Sequence, residues 1–556
     1  MKHLAYKRIS IILTIFSLML WSCSIMQARF TIGKYGLIEG FPALYFISLG
    51  ILTLASAILW TAKENHGELL MLQLIILMIS LFMANLMVGG AQSLYTWSLG
   101  TLGNPEYILR TGHINPSFWQ LWQHNWPGND IFQAVILQFT GKSIQDFARF
   151  LPWLPILWQS LLFLPVFIFL KNTTGKANPN YIWAGMWIYY LGSWPGIQNN
   201  GPQPFGTFLA FGVLALISNI EVWRQSIAPL GYRMSTLILY LAVATGHFLS
   251  SLVVLAVSVA THIFGRFKSI SLPMAIGLFI LAWAIYGANV YNTVKIPIMF
   301  TQLFSLMYAV QSGIGNQVVG NESHAAVSLV RVLFSGIIIL ISFSGGLLAF
   351  KVKQNRYLDI LVLGITAANV ILAVIIGSGY SHELFNRFFL YLLPALVYFG
   401  VKLLYFRITT ILLTLLLIIS LPLSFISQYG NEAMDYITAG NLDGAEFFNQ
   451  HAVHGVITGL GPQGSMQNAE DYSKESYAEL VTEDNKVDIS NSIWYRGNFS
   501  NLPHYIVIDT NNRVQMDFYY NRPDLLKNIR EELEVTPHYN IIFANPDMIL
   551  YTSERF

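Results

Sequence analysis

From residue 9 to residue 428 the chain is written in long apolar runs separated by short polar breaks. A run of about 20 apolar residues is long enough to cross a bilayer as a helix. Such runs fall near 9–28, 41–62, 68–90, 152–170, 180–197, 205–222, 233–249, 250–265, 270–291, 326–350, 357–377, 387–405 and 407–428, roughly thirteen spans. The stretch 180–265 is the hardest to divide, because its turns are short.

One interval interrupts this pattern more than any other. Residues 104–146 read NPEYILRTGHINPSFWQLWQHNWPGNDIFQAVILQFTGKSIQD, two half-apolar helical runs joined by an aromatic turn that ends in Pro127-Gly128. That pattern suits a water–membrane boundary, where Trp and Tyr settle with one end wet. A second polar interval, 291–331, opens with an amphipathic run and continues with the glycine-rich SGIGNQVVGNESHA. A third, SGYSHELFNR at 378–387, sets His382, Glu383 and Arg387 at the border of the next span.

After Gln428 the long apolar runs stop and charges become frequent. Residues 429–556 are the size of one soluble domain. A helix is expected at 443–450 and a short buried strand at GVIT. HYIVIDT (504–510) reads as the clearest strand, and RPDLLKNIREELE (522–534) as an amphipathic helix. YNIIFANPDMILYT reads as two strands around an Asn-Pro-Asp turn, and the polar interval 461–492 as loop. The division expected is therefore N-terminal membrane helices (1–90), a loop with interfacial helices (91–150), a membrane core (151–428) and an α/β tail (429–556).

Composition agrees: 54% of residues are apolar, 11% are charged, and mean hydropathy is +0.51. A net charge of +2 with no basic stripe excludes a nucleic-acid partner. Cys23 is the single cysteine, so there is no disulfide framework and no cysteine metal site. Lys2, Lys7 and Arg8 ahead of an apolar run have the layout of a signal peptide. Trp21 is too bulky for a cleavage box at 20–23, so a retained first helix is expected. Basic residues such as Lys63, Lys171, Arg224, Arg266, Lys351 and Arg407 fall at ends that a cytoplasmic N-terminus places inside, against fewer outside, among them Arg29, Arg110 and Lys295. An odd span count then puts the opening loop and the tail together on the extracytoplasmic side of the cytoplasmic membrane.

The chain has no phosphate-binding Walker loop, no Gly-x-Ser-x-Gly elbow, no His-Glu-x-x-His and no dinucleotide fingerprint. Acids at mid-membrane depth, which a proton-coupled transporter needs, are scarce: Asp359 and His247 both lie near span ends. The remaining candidates are carboxylates of the external loops, Glu106, Asp130, Asp146, Glu322 and Glu383, any of which offers a general base or a ligand for a divalent ion. Each also has a plain reading. Glu106 favours the dipole in a helical first turn, Asp130 caps a helix, and Asp146 is solvated. Arg387 offers a fork of donors to a phosphate, or simply caps a span. His113, Trp119, Trp122 and Trp126 line a sugar site, or anchor the loop at the interface.

The runs EYILRTGHINPSFW and PGNDIFQAVILQFTG, followed by FLPWLP, resemble the first external loop of the GT-C membrane glycosyltransferases. NGPQPFGTFLAF (200–211), TGHFLSSLVVL (245–255) and ELFNRFFLYLLP (383–394) resemble later segments of that family in the same order. GAEFFNQHA and NIIFANPDMILYTS resemble the start and end of its soluble tail. The resemblance covers most of residues 90–556; its motifs are short, and their order carries it. It implies an α-helical multi-pass fold of GT-C type with a small extracytoplasmic α/β domain. It further implies transfer of a sugar from a polyprenyl-phosphate carrier to a lipid or glycan acceptor at the outer face, with Mg or Mn required in some members and no metal in others.

On this resemblance Glu106 or Asp130 is the base or metal ligand, and Arg387, Glu383 and His382 hold the donor phosphate. His113, Trp119, Trp122, Trp126 and Glu322 hold the acceptor. The sequence departs from the family where an acid should stand just outside a span: GGAQSLYTWSLGTLG, between Gly89 and Asn104, contains none. The alternative is a non-catalytic relative that binds lipid-linked sugars during surface polysaccharide assembly. A transporter or flippase is a third reading.

Overall fold

The computed structural model describes residues 2–88, 96–117, 123–174, 178–195, 199–223, 229–265, 270–289, 291–293, 297, 320–352, 356–376, 384–451, 455–459, 475–479, 505–518, 521, 523–535 and 539–553. Every apolar run of the sequence is a helix. The first three are α1 (Lys2–Gln27), α2 (Ala43–Trp60) and α3 (Gly67–Phe82). The opening loop holds α4 (Gly103–Thr111), α5 (Gly128–Thr140) and α6 (Ile144–Phe150). The core continues with α7 (Leu154–Thr173), α8 (Tyr181–Gly192), α9 (Pro202–Ile217), α10 (Leu230–Gly246), α11 (Phe248–Gly265) and α12 (Ser271–Tyr286). It closes with α13 (Glu322–Val352), α14 (Arg356–Ile376), α15 (Leu384–Val401) and α16 (Arg407–Tyr429).

Eight helical stretches among the described residues are long and apolar enough to cross a membrane, fewer than the thirteen spans expected. The shortfall is one of length. Helices α3, α9 and α12 have 16 residues each, α8 has 12 and α10 has 17; 16 residues are about 24 Å at 1.5 Å per residue, against roughly 30 Å of hydrocarbon.

Polar side chains inside this apolar bundle are satisfied locally, as a medium without water demands. Ser10 Oγ donates to Ala55 O at 2.8 Å and Ser17 Oγ to Ser48 O at 2.7 Å, joining α1 to α2. Gln73 Nε2 of α3 reaches Ser10 and Thr14 at 3.0 and 2.8 Å, while its Oε1 accepts from Ser56 at 2.8 Å. The buried charges Asp359 and Lys402 pair at 3.3 Å, and Tyr398 donates to the same carboxylate oxygen at 2.6 Å. The acid expected to be tested for transport is thus neutralised by its own partner.

Helix ends gather at two faces. At one, Asn180 Nδ2 donates to Ala62 O and Glu64 O, and Tyr181 donates to Leu404 O. At the other, Gln428 Nε2 and Tyr429 Oη both donate to Leu81 O, at 3.3 and 2.8 Å. The chain leaving α3 for the opening loop and the chain leaving α16 for the tail therefore emerge together.

The tail contains α17 (Ala439–His451), β1 (Gly455–Gly459), β2 (Glu475–Glu479), β3 (Tyr505–Asp509), α18 (Thr510–Phe518), α19 (Leu525–Val535), β4 (Tyr539–Ala544) and β5 (Met548–Ser553). The sheet order is β2-β1-β3-β5-β4, with β1 parallel to both neighbours and β5 antiparallel to both of its own. Strand β3 is buried along its whole length, with Ile506 and Ile508 on one layer of core and Tyr505 and Val507 on another. Two elements correct the sequence expectation. Strand β2 lies inside the interval expected to be loop, because ESYAE is completed by pairing with β1, a partner its own polar pattern does not announce. Helix α18 follows β3 directly, its turn held by Asn512 N–H donating to Asp509 Oδ1 at 2.7 Å. The rest of 461–492 lies outside the described residues.

Candidate active site

The opening loop is built around buried amides and an imidazole. Asn104, in the first turn of α4, donates through Nδ2 to Gln123 Oε1 at 3.0 Å. The His124 ring is fully buried, its Nδ1 accepting from Asn115 N–H at 3.0 Å and its Nε2 lying 3.2 Å from Asn104 O. Burial lowers its pKa, so it stays neutral and pins α4 to the aromatic turn. From α5, Gln133 exchanges hydrogen bonds with Asn200 at 2.7 and 3.3 Å. The Asn200 backbone N–H in turn donates to Ser98 Oγ at 2.9 Å. This ties the loop to the segment that opens α9.

Asp130 stands in the first turn of α5 and is completely buried. The expected cap is not what it forms: Pro127 holds the cap position and makes no side-chain bond there. Among the described residues neither carboxyl oxygen of Asp130 meets the geometry of a full hydrogen bond, and the buried Asn129 amide beside it is the one side chain close enough to act on the carboxyl. Burial pushes the Asp130 pKa up to about 8, with the Asn129 amide working weakly against the shift. A buried carboxyl without partners costs stability, and such sites are arranged where function needs them.

The same turn touches the membrane helices. A Cβ on Gly128 would lie 2.8 Å from Gly246 Cα, so only glycine lets α5 meet the end of α10. The next residue, His247, is buried beside α9, where a Cβ on Gly206 would lie 2.5 Å from the His247 Cβ. A chain of hydroxyls surrounds the ring. Thr207 Oγ1 donates to Tyr391 Oη at 3.3 Å, Tyr391 Oη and Ser250 Oγ lie 2.6 Å apart, and Ser250 Oγ lies 2.7 Å from His247 Nδ1. Ser250 N–H also points at Nδ1, at 3.3 Å. That ring nitrogen therefore accepts, and the neutral ring carries its proton on Nε2. Arg387, one turn before Tyr391 on α15, is half-buried, and its charge is felt at His247. Below Tyr391 an apolar cavity is lined by Phe211, Leu214, Val254, Val257 and Ile365.

The structure thus brings Asp130, His247 and Arg387 to neighbouring elements at one end of the bundle, along with the segments around Asn200 and Thr207. Glu106 is elsewhere in character: it pairs with Arg110 at 3.0 Å on the partly exposed side of α4. His113 is exposed, with Nδ1 at 3.1 Å from Thr111 O. Trp126 is buried edge-on against Tyr291, centroids 4.4 Å apart, so its faces are taken by packing and not offered to a sugar. Glu322 is exposed at the start of α13, and Asp146 is exposed and closes a capping box with Ser143. Trp119, Trp122, His382 and Glu383 lie outside the described residues. Among the described residues no group of three His, Cys, Asp or Glu is arranged to hold a metal. Tyr391, Ser250 and Asn129 were missed in the sequence. Only the i, i+4 spacing of Arg387 and Tyr391 on one helix face signals any of them.

Fold and site together define a multi-pass membrane protein with an α/β tail and a polar site where its opening loop meets the bundle. No family model matches the sequence, and no curated protein matches it. Among solved structures the chain is similar to ArnT from Cupriavidus metallidurans bound to undecaprenyl phosphate, with 10% identity and a TM-score of 0.48, over 86% of this chain and 97% of that one. It is also similar to the apo oligosaccharyltransferase of Archaeoglobus fulgidus, with 11% identity and a TM-score of 0.46, over 92% and 75%. A third is AglB of the same organism in complex with an inhibitory peptide and a dolichol-phosphate, with 12% identity and a TM-score of 0.47, over 87% and 74%. The likeness is a distant one in every case. At these TM-scores it assigns no residue and no activity.

Proposed function

We propose that this protein is a GT-C-type membrane glycosyltransferase that moves a sugar from a polyprenyl-phosphate carrier to a lipid or glycan acceptor at the outer membrane face. The observation that carries the reading is Asp130, a fully buried carboxyl with a pKa pushed up to about 8, on the turn of α5 that meets the end of α10 next to His247. A general base works best when its pKa lies near the operating pH. Asp130 takes the proton of the acceptor hydroxyl as that oxygen attacks the anomeric carbon, and the carrier phosphate leaves with the bonding pair. Arg387 supplies charge to the departing phosphate, and the His247 Nε2–H, fixed by Ser250 and Tyr391, supplies a neutral donor. The apolar cavity under Tyr391 suits the first isoprene units of the carrier. Glu106 is left in its ion pair with Arg110. The shared face of loop and tail, with the basic residues toward the other, supports an extracytoplasmic site.

The test uses membranes containing the protein, undecaprenyl-phosphate-linked glucose radiolabelled in the sugar, and a matched set of linked hexoses. Asp130→Asn abolishes transfer, and Arg387→Gln lowers it by at least about a hundredfold, the scale of losing a charge-assisted contact in the transition state. In the wild type, kcat/KM rises with pH toward a plateau above about 8, since the carboxylate is the active form. Turnover by Asp130→Asn equal to the wild type removes the residue from the mechanism. Binding of every linked hexose without turnover by the wild type supports the non-catalytic alternative instead.

A further inference from the structure

Helix α5 is more apolar outside than inside. Ile131, Phe132, Val135, Ile136 and Phe139 are all exposed, Phe139 to 93%. At 100° per residue they share one side of the helix, an arc of about 140°. Asp130, Gln133, Ala134 and Leu137 are buried and fill the other side. The buried side is fastened to the bundle, through Gln133 on Asn200 ahead of α9 and through Gly128 against the end of α10. A helix on a water-facing surface turns its apolar stripe to the core. A contiguous apolar face turned outward marks a surface that something other than water covers. The residues that follow identify the cover. Past α5, Phe150, Trp153, Leu157, Leu161 and Leu164 are exposed at spacings of three and four, one outward stripe along Ile144–Thr173. That stretch is among those long and apolar enough to cross a membrane, so its stripe faces lipid. Lys142 and Arg149, both exposed, stand between the two stripes, where basic side chains reach headgroup phosphates. With 13 residues α5 is about 20 Å long, too short to cross. We infer that α5 is an in-plane helix whose partner is the bilayer, its outer face sunk in the leaflet at that end of the bundle. Asp130 then faces protein from an element backed by lipid, and the membrane forms part of the wall that keeps water from it. The inference goes beyond the glycosyltransferase reading and does not depend on it.

The test uses the full chain in nanodiscs of phosphatidylcholine and phosphatidylglycerol. Cys23→Ser removes the single cysteine, and a nitroxide is then attached at Val135→Cys, Phe139→Cys or Lys142→Cys, one at a time. All three positions are exposed, so the labels leave the packing of α5 intact. Power-saturation EPR compares collisions with oxygen, which concentrates in lipid, and with a water-soluble nickel chelate. At 135 and 139 oxygen outcompetes the chelate several-fold, and at 142 the ratio falls toward that of water. Chelate access at 135 and 139 equal to that at 142 overturns the inference, since water then covers the face. A label reached by neither quencher overturns it as well: spin–spin broadening identifies a second copy as the cover, and its absence another stretch of protein. None of these readouts involves turnover. An active Asp130→Asn removes the proposed mechanism and leaves the placement of α5 standing, and a water-covered α5 leaves the mechanism to its own test.

Discussion

Replacing Asp130 by Asn makes the protein more stable while stopping its chemistry, and the gain grows with pH. The carboxyl's ordinary pKa of 3.8 is pushed up to about 8 by complete burial. Between those values the folded chain keeps a proton that the unfolded chain has already released. The unfolded state is therefore stabilised with each unit of rising pH, and the folded state does not share in it. The cost is absent below about pH 4 and increases by about 1.4 kcal/mol per unit, reaching about 6 kcal/mol at pH 8. The group is fully buried, so solvent screening takes little from this figure. A buried Asn amide without partners costs about 1–3 kcal/mol of its own. The variant is thus favoured by roughly 3–5 kcal/mol above pH 8, and the advantage vanishes toward pH 5. Thermal unfolding of the detergent-solubilised chain, followed by tryptophan fluorescence between about pH 5 and pH 9, reads this directly. A wild type as stable as the variant at high pH, or a difference that does not change with pH, refutes the placement of Asp130 in an apolar, partnerless site.

Glu106→Gln leaves transfer within about twofold of wild type, because a partly exposed i, i+4 pair with Arg110 contributes only about 0.3–0.5 kcal/mol; abolished transfer in a folded variant returns Glu106 to the mechanism. Gly128→Ala forces α5 away from the α10 backbone, costs about 1–3 kcal/mol, and lowers kcat more than donor binding; unfolding and single-turnover measurements separate the two. Lys402→Met strands the Asp359 carboxylate and costs about 3–5 kcal/mol, whereas the double variant Asp359→Asn/Lys402→Met recovers most of it, as a double-mutant cycle in thermal unfolding shows.

The helices were legible because a membrane span writes its own signature: a long apolar run needs no partner to be recognised, and each run became a helix. Their lengths were less legible, since turns such as those flanking α9 and α12 cut apolar runs short of a full crossing. In the tail, β3 and the β4–β5 pair announced themselves by alternating β-branched and aromatic residues. Strand β2 did not, because ESYAE is polar and exists through its register with Val456 and Ile457.

The opening loop was picked out by its aromatics; of these Trp126 is spent on packing against Tyr291, and the base proposed here is Asp130. Sequence alone put Glu106 ahead of Asp130, though both are acids in the first turn of a helix. It could not say that one meets an arginine four residues on while the other is fully buried beside the Asn129 amide. It likewise placed Thr207, His247 and Arg387 in separate motifs without joining them. Local pattern determines which residues are apolar and where helices run, because those preferences act within a few residues. Burial of Asp130 and the convergence of α5, α9, α11 and α15 depend on contacts between distant segments, and only the tertiary structure decides them.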